Sequence, residues 1–150
     1  MSDMKTLGRY LGLDIGSKRI GIAVSDELGI MASPVSYVLR GGGEMAAFQD
    51  LVRRYEPVRL VAGLPSGMSG HEGPQAREVR TYTDSLAQQL GIELVYWDER
   101  LTTLIAEKAL IASGARRDKR REQIDALAAA VMLQSYLDSQ ANKRRAADSA

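Results

Sequence analysis

Four acids stand where carboxylates could carry the chemistry of this chain. Asp14 lies in Gly12-Leu13-Asp14-Ile15-Gly16, where the two glycines leave its carboxylate unshielded on its own face. Asp98 and Glu99 close the apolar run from Ile92 to Trp97. Asp125 is the only charged residue between Ile124 and Leu133, in a stretch whose alanines, Leu127, Val131 and Met132 leave little polar surface. A carboxylate in so apolar a helix calls for a partner, either a basic side chain such as Arg120 or Arg121 or a metal, while a place near the helix start also admits partial exposure. Taken alone, Asp14 reads first as a turn former, and Asp98 and Glu99 also read as acids that open the next helix. With no cysteine and His71 as the one histidine, the four acids taken together make a hard oxygen site suited to Mg²⁺ or Mn²⁺. Two such ions about 3.5–4 Å apart activate a water and stabilise the leaving oxygen in phosphodiester hydrolysis, so no nucleophilic side chain is needed.

Basic residues gather beside these acids. Lys18 and Arg19 follow Asp14, Arg100 follows Glu99, and Arg116, Arg117, Lys119, Arg120 and Arg121 lead into the Asp125 stretch. Phosphate contacts from such side chains position a nucleic acid without reading its sequence. The Gly/Pro-rich segment from Gly63 to Pro74 exposes backbone amides that also suit a phosphate. Lys143, Arg144 and Arg145 form a second basic run, within a stretch of about 140–150 that reads as a disordered tail.

The elements that must position these residues follow from periodicity. Two alternating runs between Arg9 and Val24, joined at Gly16-Ser17-Lys18-Arg19, read as a hairpin, and Val35 to Leu39 as a third strand. Met45, Phe48, Val52 and Tyr55 mark a helix stopped by Pro57. Val58 to Gly63 suits a strand buried on both faces, Val79, Tyr82, Leu86 and Leu90 a helix ended by Gly91, and Ile92 to Trp97 a fifth strand. A helix capped near Thr102 and Thr103 and ended by Gly114 follows, and a last helix runs from about Glu122 to Asp138. Hairpins are antiparallel and crossovers parallel, so this order predicts an α/β fold with a mixed five-stranded sheet and helices on both faces. The opening meander argues against a flavodoxin-like order. The C-terminal ends of parallel strands converge on one edge, where Asp98 or Glu99 can meet Asp14. Period-two alternation turns only one of that pair toward the site, and we lean to Glu99.

The 150 residues suit one domain, and 45% apolar with 26% charged residues describes a folded globular protein. No apolar run approaches the length of a membrane span, so no membrane partner and a cytoplasmic location are expected. A net charge of +1 is not that of a strongly basic nucleic-acid binder, which shifts the weight to how the charge is distributed.

Leu13-Asp14-Ile15-Gly16-Ser17-Lys18-Arg19-Ile20-Gly21-Ile22-Ala23-Val24-Ser25-Asp26, Val61-Ala62-Gly63-Leu64-Pro65, Asp98-Glu99-Arg100-Leu101-Thr102-Thr103 and Ile124-Asp125-Ala126-Leu127-Ala128-Ala129-Ala130 together resemble the YqgF family of Holliday junction resolvase-like proteins. The resemblance spans nearly the whole chain and departs from the pattern at no acidic position. It implies a ribonuclease H-like fold, a divalent metal, and kinship with the RuvC junction resolvases. It also implies catalytic, metal-binding roles for Asp14, Glu99 (or Asp98) and Asp125. Family proteins are described as junction resolvases and as nucleases maturing the ends of small-subunit ribosomal RNA precursors; the second role, on structured RNA, is the one we expect, with branched DNA as the alternative. A junction resolvase would be expected to form a homodimer, because paired cuts in a two-fold substrate favour a two-fold enzyme. A non-catalytic binding module is disfavoured by retention of the acids. An actin-like or sugar-kinase ATPase is disfavoured because 150 residues supply only one of the two lobes it needs.

Overall fold

The computed structural model describes residues 8–65, 73–98 and 117–149, with side chains described for all of these except 117–123 and 149. Strands β1 (Tyr10–Ile15), β2 (Arg19–Ser25) and β3 (Ala32–Leu39) form the meander. Helix α1 (Glu44–Tyr55), strand β4 (Arg59–Leu64), helix α2 (Pro74–Leu90), strand β5 (Glu93–Asp98) and helix α3 (Arg117–Ser149) follow. The sheet order is β3-β2-β1-β4-β5, antiparallel through the meander and parallel from β1 to β4 to β5. This is the expected mixed sheet. The helix expected after Thr103 and most of the loop before Pro74 lie outside the described residues.

Alternation along each strand divides the core into two layers. Leu11, Leu13 and Ile15 face the layer that α1 and α2 cover, together with Ile20, Ile22, Leu60, Ala62, Leu64, Phe48 and Leu86. Tyr10, Ala23 and Val61 face α3, where Ala129, Met132, Leu133, Tyr136 and Leu137 cover them and the partly buried Val95 and Trp97 pack. Helices therefore lie on both faces. Tyr136 meets Tyr10 and Trp97 edge to face at ring-centre separations of 6.1 and 5.8 Å, a favourable aromatic geometry.

Strand β3 begins at Ala32, three residues earlier than periodicity placed it. Pro34 reads as a breaker, but β3 is the sheet edge and the register shifts between Ile22 and Ala23, beside the pair Ala23 and Pro34. A residue without an N–H is tolerated there. Helix α3 also exceeds its expected bounds at both ends. The basic segment 117–121 forms its opening turns, and the stretch read as a disordered tail continues the helix through Ser149. Extending an anchored helix costs little, and Lys, Arg, Gln and Ala all favour it.

Candidate active site

Strand β1 carries Asp14 on the same face as Tyr10 and Gly12, toward α3. Its cross-strand partner is Gly21. Helix α3 crosses directly above that glycine: a Cβ built on Gly21 would lie 1.9 Å from the backbone oxygen of Asp125. No side chain fits, so Gly21 is what lets α3 settle onto β2 and bring the Asp125 backbone beside Asp14. Gly12 serves the same approach about two turns later, where an added Cβ would stand 3.0 Å from Leu133 Cβ.

Asp125 is partly buried, with its side chain 24% exposed, and Arg19 Nε donates to its Oδ2 at 2.7 Å. The partner expected among Arg120, Arg121 or a metal is thus supplied by β2. The Arg19 guanidinium also lies 5.9 Å from the ring centre of Tyr37 on β3. Lys18 is exposed in the tight turn before β2, which closes with Gly16 N–H donating to the Arg19 carbonyl at 2.8 Å. Arg40 braces that turn: its backbone N–H donates to the Lys18 carbonyl at 2.9 Å, and its Nη1 donates to the Gly16 carbonyl at 2.8 Å. The Arg40 guanidinium lies 4.3 Å from the ring centre of Tyr82 on α2, and Tyr82 donates to Glu44 on α1 at 3.2 Å. The amides of Gly42 and Gly41 hold the half-buried Glu44 carboxyl below the usual carboxylate range. Sequence reasoning missed this brace and the Arg19–Asp125 pair, because nothing in residue type or local spacing links positions so far apart.

At the C-terminal end of the parallel strands, Leu13 and Ala62 pair, then Ala62 with Tyr96, and finally Leu64 with Asp98. Leu64 belongs to the layer under α1 and α2. Asp98 shares its register position and the parity of Leu94 and Tyr96, so it belongs to the face opposite Asp14. The sheet brings Asp98 to the same edge without grouping it with Asp14 and Asp125. Glu99, Arg100 and Arg116 lie outside the described residues, and so do the side chains of Arg117, Lys119, Arg120 and Arg121. Among the described residues no three potential ligands form a metal cluster. The two acids that are brought together are hard oxygen donors, with no nitrogen or sulfur ligand beside them among the described residues, a donor set that fits Mg²⁺ or Mn²⁺.

A family model described as RuvX, Holliday junction resolvase, matches residues 8–139. The chain belongs to the RuvX family. A relative from Lactococcus lactis strain IL1403 is 46% identical over 139 residues, covering 90% of this chain and 97% of that one. Another, from Agathobacter rectalis, is 41% identical over 141 residues, covering 91% and 99%. Both carry the name "Putative pre-16S rRNA nuclease". The fold is that of RuvC: Thermus thermophilus RuvC in complex with a Holliday junction substrate superposes with a TM-score of 0.55 at 16% identity, covering 90% of this chain and 96% of RuvC. The fowlpox virus Holliday junction resolvase gives 0.52 at 13% identity, covering 87% and 99%. This establishes the ribonuclease H-like architecture, and membership of RuvX places the chain among nucleases. Among the described residues no helix is long and apolar enough to cross a membrane.

Proposed function

We propose that this RuvX protein is a divalent-metal-dependent nuclease that processes the end of the small-subunit ribosomal RNA precursor. The observation that carries the reading is the placement of Asp14 and Asp125 on one face at one sheet edge, over Gly21. Glu99 is the third acid, supported by alternation: one residue beyond Asp98 restores the parity of Val95 and Trp97, the face of Asp14. Asp14, Glu99 and Asp125 would hold Mg²⁺ or Mn²⁺, which when bound supplies an activated water and charge stabilisation for the leaving oxygen. Asp98 is left with a supporting place at the same edge.

The chain's own residues prepare the substrate. Lys18, exposed in the turn beside Asp14, holds a backbone phosphate, and Arg100 with the basic segment from Arg116 to Arg121 extends that track. Arg19 keeps the Asp125 carboxylate oriented and neutralised, and it lies close enough to the site to transfer its hydrogen bonds to a phosphate oxygen. The names of the relatives favour structured RNA over branched DNA.

The test compares the protein with its Asp14→Asn variant on a precursor small-subunit ribosomal RNA and on a four-way DNA junction, with Mg²⁺, with Mn²⁺ and with chelator. Metal-dependent cleavage of the RNA, lost at least about a hundredfold in Asp14→Asn, is the expected result. Preference for the four-way junction, cut by a homodimer, would replace the RNA role with resolution. Binding without cleavage by either protein would leave only a binding module.

A further inference from the structure

Beyond the acid edge, α3 runs back along the sheet: Asp125 lies over Gly21, Ala129 and Leu133 meet Gly12, and Tyr136 packs on Tyr10 at the other end of β1. There the helix and the β2–β3 turn enclose a cleft of about 250 Å³. Arg59, Lys143 and Arg144 bring three cations to it, and Tyr10, Leu28 and Leu137 supply apolar wall. Lys143 and Arg144 are exposed, as is Leu28.

Arg59 is held for a purpose that its partners do not exhaust. Its Nη2 pairs with Glu93 at 2.7 Å and its Nη1 donates to the Tyr136 hydroxyl at 3.0 Å. Its guanidinium lies 5.5 Å from the Tyr10 ring centre, and its buried Nε has no hydrogen-bond partner among the described residues. Arg144 lines the same cleft as Tyr10 and Arg59, and burial pushes the Tyr10 phenol up while the Arg59 and Arg144 guanidiniums oppose the rise. Among the described residues Glu93 pairs with Arg59 and leaves Lys143 and Arg144 in excess. An excess of positive charge beside apolar wall is complementary to an oxyanion carried on a less polar body.

We propose that this cleft is a second substrate-binding site, which takes a backbone phosphate of the nucleic acid several base pairs from the cut. The inference rests on the nucleic-acid reading above. The nineteen residue steps from Asp125 to Arg144 span about 28 Å at 1.5 Å per residue, or about eight base pairs at the 3.4 Å rise of B-form DNA and a few more in an A-form RNA duplex. Nucleic acid laid along α3 therefore passes from the opening basic turns, over the acids, to the cleft at the far end. Free phosphate has the same charge but not this reach, so length dependence separates the two sources.

The test uses the full chain in an Asp14→Asn background, with and without Lys143→Ala/Arg144→Ala, titrated with RNA duplexes of about 16 and about 6 base pairs, the shorter unable to reach the cleft. The double variant should bind the long duplex about tenfold more weakly and lose about 1–2 from the slope of log affinity against log salt. Its affinity for the short duplex should not change. Equal affinity and slope for the long duplex would overturn the proposal, as would an equal loss on both lengths or full competition by millimolar inorganic phosphate. If the length-dependent loss appears but the protein with Asp14 intact never cuts, the nuclease reading falls and the cleft stands. If cleavage depends on Asp14 but the double variant binds normally, the reverse holds. No binding of either duplex would sink both.

Discussion

Arg19 and Asp125 are 106 positions apart, yet their 2.7 Å ion pair fixes the geometry of the acid edge. Both side chains are partly exposed, at 33% and 24%, so solvent screening limits what the pair contributes to stability, and Arg19→Ala should cost no more than about 1 kcal/mol in a denaturant titration. Its larger effect should fall on ligands. Removing a cation from Asp125 should tighten Mn²⁺ binding to the free protein while raising KM for RNA; weaker Mn²⁺ binding would show that Arg19 supports the metal site. Residue type made Asp125 legible as an acid that needed a partner, because an apolar helix leaves a lone carboxylate nowhere inexpensive to go. The partner itself was not legible. Arg19 looked like a phosphate ligand from its turn, and only the crossing of α3 over β2 shows which carboxylate it reaches.

At the scale of elements, the site depends on how closely α3 lies on the meander. Gly21→Ala would drive a Cβ into the Asp125 carbonyl, which is backbone and cannot rotate away. The expected cost is about 2–3 kcal/mol or more, with cleavage lost through displacement of Asp125; a variant of unchanged stability and activity would show that α3 shifts freely. The opposite layer is fastened by Tyr82, whose phenol is pushed up to about 12, first by burial and then by the Glu44 carboxylate. A phenol with a folded pKa above its ordinary value near 10 contributes fully below pH 10, and that contribution is lost as pH rises toward 12. Tyr82→Phe should therefore reduce the fall in denaturation midpoint over that window. Tyr96, raised in the same direction, should keep part of it. The strands and the first two helices were legible because alternation and 3.6-residue periodicity report burial directly. The extent of α3 was not, since a charge run describes solvation and leaves open whether the backbone beneath it is helical.

For the whole molecule, the order of strands and crossovers determined the architecture, because a meander followed by parallel crossovers leaves few ways to build one sheet. That architecture sends the ends of β1 and β5 to one edge and lays α3 across β1, β2 and β3. Which face each terminal acid occupies depends on register, and the pairing of Leu64 with Asp98 supplies it. We propose that Asp14, Glu99 and Asp125 form one divalent-metal site and that Asp98 lies outside it. It is tested most directly by titrating Mn²⁺ into the protein and into Asp14→Asn, Asp98→Asn, Glu99→Gln and Asp125→Asn, following the loss of the free-ion paramagnetic resonance signal. Binding should weaken about tenfold or more in the Asp14, Glu99 and Asp125 variants and persist in Asp98→Asn. Loss of binding in Asp98→Asn with full retention in Glu99→Gln would contradict it.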